Sequence, residues 1–258
     1  MSELIEKVRA GLPFHDEVLI DVHTHCGPLR QSYIPENNID SIVANMDRIG
    51  IKQAWQCTAE CGTFSDPFIQ NDYLAECVNR HPGKLMGYAT ISGNYKSYPL
   101  PELLRCEKMG LTLGIKMHVY RQNYSVADRF LYPMYEHLNS RHALFLHHDF
   151  GPVSDLEQII RDFPDITFIH GHCGLKYKEL YKKYDNLYNC TCAGMGYNSV
   201  TEAINVIGAD RVLYGSDFTV LDITFGFGPV VYAKVSDDDK RKVLGLNAIR
   251  LLKTVKMP

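Results

Sequence analysis

The sequence predicts a single-domain α/β fold, the closed (β/α)8 or TIM barrel, over residues 1–258. Short apolar runs alternate with amphipathic stretches along almost the whole chain, a pattern that indicates βαβ units around a parallel sheet. Eight such units fill the chain, and about 250 residues is the usual length of a barrel with eight units. The competing architecture, an open doubly wound sheet, often carries a G-x-G-x-x-G turn after its first strand, and no such turn follows here.

Eight segments have the composition of buried parallel strands, being short, apolar and bounded by turn residues. The predicted strands are residues 18–25, 51–57, 84–91, 113–118, 143–148, 166–172, 186–191 and 211–217. Because the strands of a barrel are covered on both faces, their interiors should be apolar, and polar residues at their ends become informative.

A helix is predicted after each strand, and a short amphipathic helix is predicted before the first strand. Gly50 stands at the end of the predicted helix 36–50, where a residue with a left-handed backbone often ends a helix. Pro82 and Gly83 end the predicted helix 68–83. Proline is tolerated in a helix only near its start. Pro133 therefore lies early in the predicted helix 127–141, or that helix begins slightly later than residue 127. The predicted helices are residues 36–50, 68–83, 100–110, 127–141, 154–164, 175–184, 199–210 and 237–253.

The composition is that of a globular protein, with 45% hydrophobic and 22% charged residues. A formal net charge of −3 provides no field that would hold nucleic acid or an anionic membrane surface. No apolar run approaches the ~18 residues of a membrane span, and the first residues lack the apolar stretch of a secretory signal. The expected partner is therefore a small-molecule substrate, and the formation of a homo-oligomer stays open.

Eight cysteines occur without the CxxC spacing that is typical of a structural zinc site. In a chain of this size with no secretory signal we expect thiols, and a reducing cytoplasm is the expected compartment. A cysteine is usually a small buried hydrophobic residue. The alternative is that one or two thiolates line the site and favour a softer metal ion.

Residues that can bind a metal recur at the carboxyl ends of the predicted strands. In a barrel all of these ends meet at one rim, where active sites are built. The residues are His23, His25, Lys116, His118, His147, His148, His170, His172 and Asp217. One histidine in such a position is usually a hydrogen-bonded structural residue, but the convergence of the whole set favours a functional site.

Alternation along a strand predicts which of these side chains point in the same direction, since residues i and i+2 face the same side. His23 and His25 can therefore both face the barrel axis and bind one cation. The same alternation pairs Lys116 with His118 and His170 with His172.

Only one of His147 and His148 can face inwards, and we choose His147 because His148 begins the following loop.

Imidazole and carboxylate ligands suit Zn²⁺, Mn²⁺, Fe²⁺ or Ni²⁺. A metal with one open position lowers the pKa of bound water towards ~7. Asp217 is the candidate to accept that proton and pass it to a leaving group.

Six segments carry a resemblance to a known family. They are IDVHTHCG (20–27), LGIKMH (113–118), ALFLHHD (143–149), FPDITFIHGHCG (163–174), RVLYGSDF (211–218) and LGLNAIRLL (244–252). In this order they resemble the amidohydrolase superfamily, in the branch of small metal-dependent hydrolases and aminocarboxymuconate-semialdehyde-type decarboxylases. The resemblance implies a TIM barrel and extends over nearly the whole chain.

The resemblance also implies roles for individual residues. The implied metal ligands are His23, His25, His147 and Asp217. His172 matches a histidine that in relatives either binds a second metal or holds and protonates the reacting group, and Asp217 matches the aspartate that moves the proton. Lys116 stands where some relatives carry a carboxylated lysine between two metals; an unmodified Lys116 would instead hold a substrate carboxylate.

Substrate contacts are expected in the loops at the same rim. Arg30 and Arg121 could bind a carboxylate or phosphate through their guanidinium groups, and His118 faces the same side as Lys116. The alternative for both arginines is a solvated surface position.

These observations together predict a cytoplasmic metal-dependent hydrolase of a small-molecule amide, ester or lactone. Zn²⁺ is the expected ion, with one or two per chain. Metal-activated water would be the nucleophile, Asp217 the general base, and His172 the electrophile or acid. The alternative activity is a metal-dependent non-oxidative decarboxylase of a small carboxylic acid. A third hypothesis is a metal-free barrel in which the histidines are only hydrogen-bonded.

Overall fold

A computed structural model describes residues 2–29, 33–35, 37–60, 66–94, 98–194, 196 and 198–258. In this part of the chain, parallel strands form the wall of a barrel, as the sequence predicts. The strands are β1 (Leu19–Cys26), β2 (Ile51–Thr58), β3 (Leu85–Gly87), β4 (Ala89–Thr90), β5 (Gly114–Met117), β6 (Leu144–His147), β7 (Thr167–His170), β8 (Leu187–Cys190) and β9 (Val212–Leu213).

Two ladders of backbone hydrogen bonds make up the wall, in the orders β1-β2-β3 and β4-β5-β6-β7-β8-β9. The predicted strand 84–91 is divided between β3 and β4 at Tyr88, whose N–H donates to Gln56 O over 3.0 Å. The barrel closes between the last and first strands: Val22 N donates to Tyr214 O over 2.9 Å, and Asp217 N donates to His23 O over 3.0 Å.

Helices cover the outside of the barrel. They are α1 (Glu3–Arg9), α2 (Ile39–Ile49), α3 (Pro67–Arg80), α4 (Pro99–Lys108), α5 (Val119–Gln122), α6 (Tyr132–Ser140), α7 (Val153–Asp162), α8 (Lys178–Lys183), α9 (Ser199–Ile207), α10 (Ile223–Val231), α11 (Asp237–Arg241) and α12 (Asn247–Leu252). Among the described residues, no helix is both long enough and apolar enough to cross a membrane.

The helix boundaries follow the predicted start and stop signals. Asn38 caps α2 by accepting the N–H of Ser41 over 3.0 Å, and Gly50 ends it with a left-handed φ of 104°. A Cβ at Gly50 would lie 2.7 Å from the backbone carbon of Phe14, so this close approach also requires glycine. Pro133 falls in the first turn of α6, which confirms the later start.

Two helices, α5 and α10, lie in segments for which the sequence predicts no helix. Asp222 starts α10 by accepting the N–H of Thr224 over 2.8 Å. The predicted helix 237–253 is interrupted by a π-helical turn at Lys242–Leu246.

The first and last parts of the chain are joined by a buried polar contact. Asp237 in α11 accepts hydrogen bonds from Ser2 Oγ over 2.5 Å and from Lys240 Nζ over 3.1 Å. Partial burial opposes ionisation, but these two hydrogen bonds outweigh it and lower the pKa of Asp237 to about 2.

Two apolar layers stabilise the fold, one inside the barrel and one between the barrel and the helices. Leu144, Leu146 and Ile169 belong to the inner layer, and Phe145 and Phe168 belong to the outer layer. β6 and β7 thus alternate between branched aliphatic residues inside and phenylalanines outside. This alternation sets which polar residues can reach the mouth of the barrel.

Candidate metal centre

β1 brings its two histidines to the inner side of the barrel through a bulge. Four residues of β1, from Asp21 to Thr24, lie opposite three of β2, from Ala54 to Gln56, so the alternation shifts by one and both Val22 and His23 face inwards. Asp21 accepts the N–H of His23 over 3.2 Å and the N–H of Ser216 over 3.0 Å. This acidic side chain, which the sequence analysis missed, therefore holds the bulge and joins β1 to the segment after β9.

Four donor groups converge at the mouth of the barrel. The group consists of His23, His25, His148 and Asp217, with one ligand atom of each within 4.8 Å of the others. Asp217 Oδ1 lies 3.0 Å from His25 Nε2 and 3.5 Å from His23 Nε2, and His148 Nε2 lies 3.4 Å from His23 Nε2.

The chemistry of these donors fits a divalent metal ion. Ligand atoms about 2.0–2.2 Å from one tetrahedral ion lie about 3.3–3.6 Å from each other, close to the spacing observed. His25 Nδ1 lies 3.1 Å from the carbonyl oxygen of Thr58, to which it donates, so the lone pair of His25 Nε2 faces the carboxylate of Asp217. Two acceptors that face each other in this way need a shared cation or a proton between them.

His148 occupies the position that the sequence analysis assigned to His147. Lys116 and Leu146 are paired in register and face inwards, so the next inward position on this strand is His148. His147 faces outwards, where its ring packs 5.1 Å from that of Phe150 and its Nε2 accepts the N–H of Val119 over 2.8 Å. The choice of His147 is therefore corrected: it lies in the helix layer.

The β7 histidines do not share a side, contrary to the prediction. His170 faces the helices, with its ring 4.7 Å from that of Tyr177, and burial lowers the pKa of His170 to about 4. His172 leaves the strand alternation through a left-handed backbone, φ 63°, and its ring reaches the rim 4.0 Å from that of His148. His172 therefore lies beside the four-residue cluster, where it forms a second potential ligand group with Asp217 and Cys192.

Lys116 lies at the centre of the candidate site. Its Nζ is 3.0 Å from His23 Nε2 and 3.0 Å from His148 Nε2, and its side chain is completely buried. A protonated lysine there is a buried cation, whereas a carboxylated one would be an anion that binds metal.

The electrostatics keep His23 and His148 neutral and the carboxylate of Asp217 charged. Burial, together with the charge of Lys116, lowers the pKa of His23 and of His148 well below the usual value. Burial alone would raise the pKa of Asp217, but a proton shared with His25 and the charge of Lys116 outweigh it and lower that pKa. Neutral imidazole and ionised carboxylate are the forms that bind metals.

The remaining predicted residues are placed as follows. His118 lies next to the cluster, with its ring 4.4 Å from that of His148. Arg30 and the side chain of Arg121 lie outside the described residues. A cavity of about 470 Å³ opens beside the ends of β1 and β2, and its lining includes Thr58 and Tyr73.

Comparison with known proteins decides the family. The model of the amidohydrolase family matches residues 20–254. The chain belongs to the amidohydrolase family. The family and the four-residue cluster together establish an enzyme fold with a site for a divalent metal. No curated protein sequence matches the chain significantly.

Solved structures similar to this amidohydrolase share its fold at low identity. A 2,6-dihydroxybenzoate decarboxylase from Rhizobium is 16% identical, with a TM-score of 0.75 over 92% of this chain and 99% of its own. A dihydroxybenzoic acid decarboxylase from Polaromonas with bound manganese is 17% identical, with a TM-score of 0.74 over 92% and 97%. A 5-carboxyvanillate decarboxylase from Sphingomonas paucimobilis is 15% identical, with a TM-score of 0.70 over 92% and 99%.

Proposed function

We propose that this amidohydrolase is a metal-dependent, non-oxidative decarboxylase of a small aromatic carboxylic acid. The observation that carries the proposal is the buried amino group of Lys116, 3.0 Å from two of the four candidate metal ligands, where its protonated form would place a cation beside them. One set of metal ligands with a cation beside it suits an anionic substrate. The similar solved structures support the same choice, because three of them are decarboxylases of aromatic acids. The alternative activity from the sequence is thus preferred to hydrolysis.

A divalent ion held by His23, His25, His148 and Asp217 would act as a Lewis acid that stabilises negative charge on the substrate. Lys116 would pair with the carboxylate or a neighbouring oxygen of the substrate and orient it. As the bond to the carboxyl carbon breaks and CO₂ leaves, a proton must be added to the carbon left behind. His172, at the exposed rim, is placed to deliver that proton and to recover one from water.

The neighbouring cavity bears on the size of the substrate, and the set of donor atoms bears on the identity of the metal. A cavity of about 470 Å³ beside β1 and β2 lies in the range of small-molecule sites. Its described lining adjoins the metal centre at Cys26, contains none of the four candidate ligands, and includes the acidic Glu60 and Asp66. Three imidazoles and one carboxylate accept Zn²⁺ as well as Mn²⁺ or Fe²⁺. Zn²⁺, a cytoplasmic location and a small-molecule partner stay predictions from the sequence.

The test is an assay of CO₂ release and of hydrolysis with the metal-loaded enzyme, over a panel of hydroxybenzoates, lactones and amides. We expect CO₂ release from at least one aromatic acid, and loss of it in Asp217→Asn and His172→Ala. His15→Ala is the control, because it removes an exposed histidine that precedes β1, whereas the candidate ligands lie at the other end of that strand. Hydrolysis without CO₂ release would overturn the proposal.

A hydrolase is the second candidate, favoured by the second ligand group of His172, Cys192 and Asp217. A carboxylated Lys116 would let two cations sit close together, as some hydrolases require. Native mass spectrometry distinguishes the two functions: one added CO₂ and two metals per chain favour hydrolysis, whereas an unmodified chain with one metal favours decarboxylation.

A further inference from the structure

Cys192 lies inside the barrel beneath the candidate metal centre, two residues after the end of β8. Its sulfur is 2.8 Å from His23 Nδ1 and 3.3 Å from the backbone nitrogen of His172, which donates to it. The side chain of Cys192 is completely buried. One sulfur atom therefore contacts both a candidate metal ligand and the turn that presents the predicted proton donor.

The two histidines of β1 are supported differently. His25 Nδ1 has a carbonyl acceptor, Thr58 O, at 3.1 Å, and the thiol of Cys57 lies nearby at 3.3 Å. For His23 Nδ1, Cys192 is the hydrogen-bond partner that the described residues provide. His25 Nδ1 thus has a carbonyl acceptor besides the thiol of Cys57, whereas the partner of His23 Nδ1 among the described residues is Cys192.

We propose that Cys192 is a positioning residue for the metal centre. Its sulfur accepts the Nδ1–H of His23, which fixes the tautomer of His23 and directs the lone pair of Nε2 towards the cation. A carboxylate or a carbonyl oxygen usually has this role in metalloproteins. By accepting the N–H of His172, the same sulfur holds the left-handed turn at φ 63°.

The space around Cys192 explains why a thiol fits there. A Cβ on Gly171 would lie 3.2 Å from the sulfur, and one on Gly215 would lie 3.3 Å from the Cβ of Cys192. The neighbours thus leave little room for a longer side chain. A neutral acceptor also adds no charge beneath a centre that already holds the carboxylate of Asp217.

The experiment compares metal binding by Cys192→Ala, Cys192→Ser and Cys57→Ala with that of the wild type. Metal-free proteins are titrated with Zn²⁺ and Mn²⁺ in a calorimeter. We expect Kd to rise about 10- to 100-fold in Cys192→Ala, as for other residues that orient a ligand histidine. Cys192→Ser should recover part of the affinity because a hydroxyl also accepts the hydrogen bond, and Cys57→Ala should bind like the wild type.

Two further readouts separate orientation from general packing. The visible spectrum of the Co²⁺-loaded protein should change in Cys192→Ala but not in Cys57→Ala, although both remove one buried thiol. The amide of His172 should exchange its hydrogen faster in Cys192→Ala. Equal affinity of Cys192→Ala and Cys57→Ala, or no recovery in Cys192→Ser, would overturn the proposal.

The proposal rests on the metal centre that the proposed function requires, but not on which reaction occurs there. Failure of the wild type to bind Zn²⁺ or Mn²⁺ would overturn both. A wild type that binds metal, with Cys192 variants that bind equally well, would overturn only the role of Cys192.

Discussion

At the scale of single residues, the direction of a side chain decides whether it can bind a cation. His147 and His148 are adjacent in the chain, yet one packs among aromatic rings of the helix layer and the other faces Lys116. Both side chains are imidazoles, so replacing each in turn distinguishes the loss of a metal ligand from the loss of a packing contact.

His148→Ala should abolish metal binding and turnover while the barrel stays folded, because the side chain lies at the rim. His147→Ala should keep the metal but lower the free energy of unfolding by about 1–3 kcal/mol, because the buried N–H of Val119 loses its acceptor. Metal titration and urea unfolding of both variants, with His15→Ala as control, check this. Retention of metal by His148→Ala would refute the assignment.

His172 adopts a left-handed backbone conformation, φ 63°, which residues with a Cβ adopt at a cost of about 1–2 kcal/mol. Both His172→Ala and His172→Gly remove the imidazole, so both should lose turnover. His172→Gly should nevertheless be more stable than His172→Ala by about 1 kcal/mol, because glycine adopts this conformation without strain. Urea unfolding at equal pH measures the difference, and equal stability would contradict it.

At the scale of elements, alternation within one strand predicts which residues share a side, but a bulge or a turn at the strand end breaks it. His23 lies in the β1 bulge, but the alternation from His23 to His25 is unbroken, so the two histidines share a side as predicted. The wrong choice of His147 came from the loop position of His148, although Leu144 and Leu146 suit a barrel interior and indicate that His148 faces inwards. His172 could not be placed from alternation, because its direction depends on a left-handed turn.

Gly215 marks the close approach of the segment after β9 to β1. A Cβ there would lie 2.5 Å from the sulfur of Cys190 and 2.9 Å from the Cβ of His23. Gly215→Ala should therefore destabilise the protein by about 1–3 kcal/mol and weaken metal binding by displacing His23.

The matched control is Gly228→Ala, because a Cβ at Gly228 in α10 would meet no atom within 4 Å. It should be neutral or stabilising by about 0.5–1 kcal/mol, since alanine favours helix more than glycine does. Thermal unfolding and metal titration of the two variants check the prediction, and equal effects would show that the close approach is not the cause.

Asp237 joins α11 to the residues at the start of α1, and its pKa in the folded protein is lowered to about 2 from an ordinary value of 3.8. A lowered folded-state pKa contributes stability that is fully present above the unfolded value and is lost as pH falls from about 4 to about 2. Asp237→Asn should be less stable than the wild type at pH 7 and should lose less stability in acid. Unfolding at a series of pH values measures this, and parallel pH profiles would contradict it.

At the scale of the whole molecule, the (β/α)8 barrel was predicted correctly because it depends on a pattern repeated along the chain. The site depends on residues from β1 and from the segments that follow β6 and β9, and their meeting follows from closure of the barrel. The reaction is not determined by the fold, since one fold supports many chemistries.

Metal removal should reduce the stability of the whole barrel, because the candidate ligands join its first and last strands. At a free metal concentration about 100 times Kd, binding stabilises the folded state by about 2.7 kcal/mol, or roughly 5–10 °C in Tm. Calorimetric scans with and without EDTA check this. The control is His148→Ala, whose Tm should not respond to EDTA, and a wild-type Tm indifferent to EDTA would contradict the prediction.

Barrel closure also has a consequence for biosynthesis. His25 precedes its partner Asp217 by 192 residues, so at ~5–20 residues per second a ribosome makes the two about 10–40 s apart. During that interval the nascent chain comes to contain three of the ligand imidazoles but cannot complete the set of ligands. Binding of the ion by all four ligands therefore has to wait until Asp217 has been made.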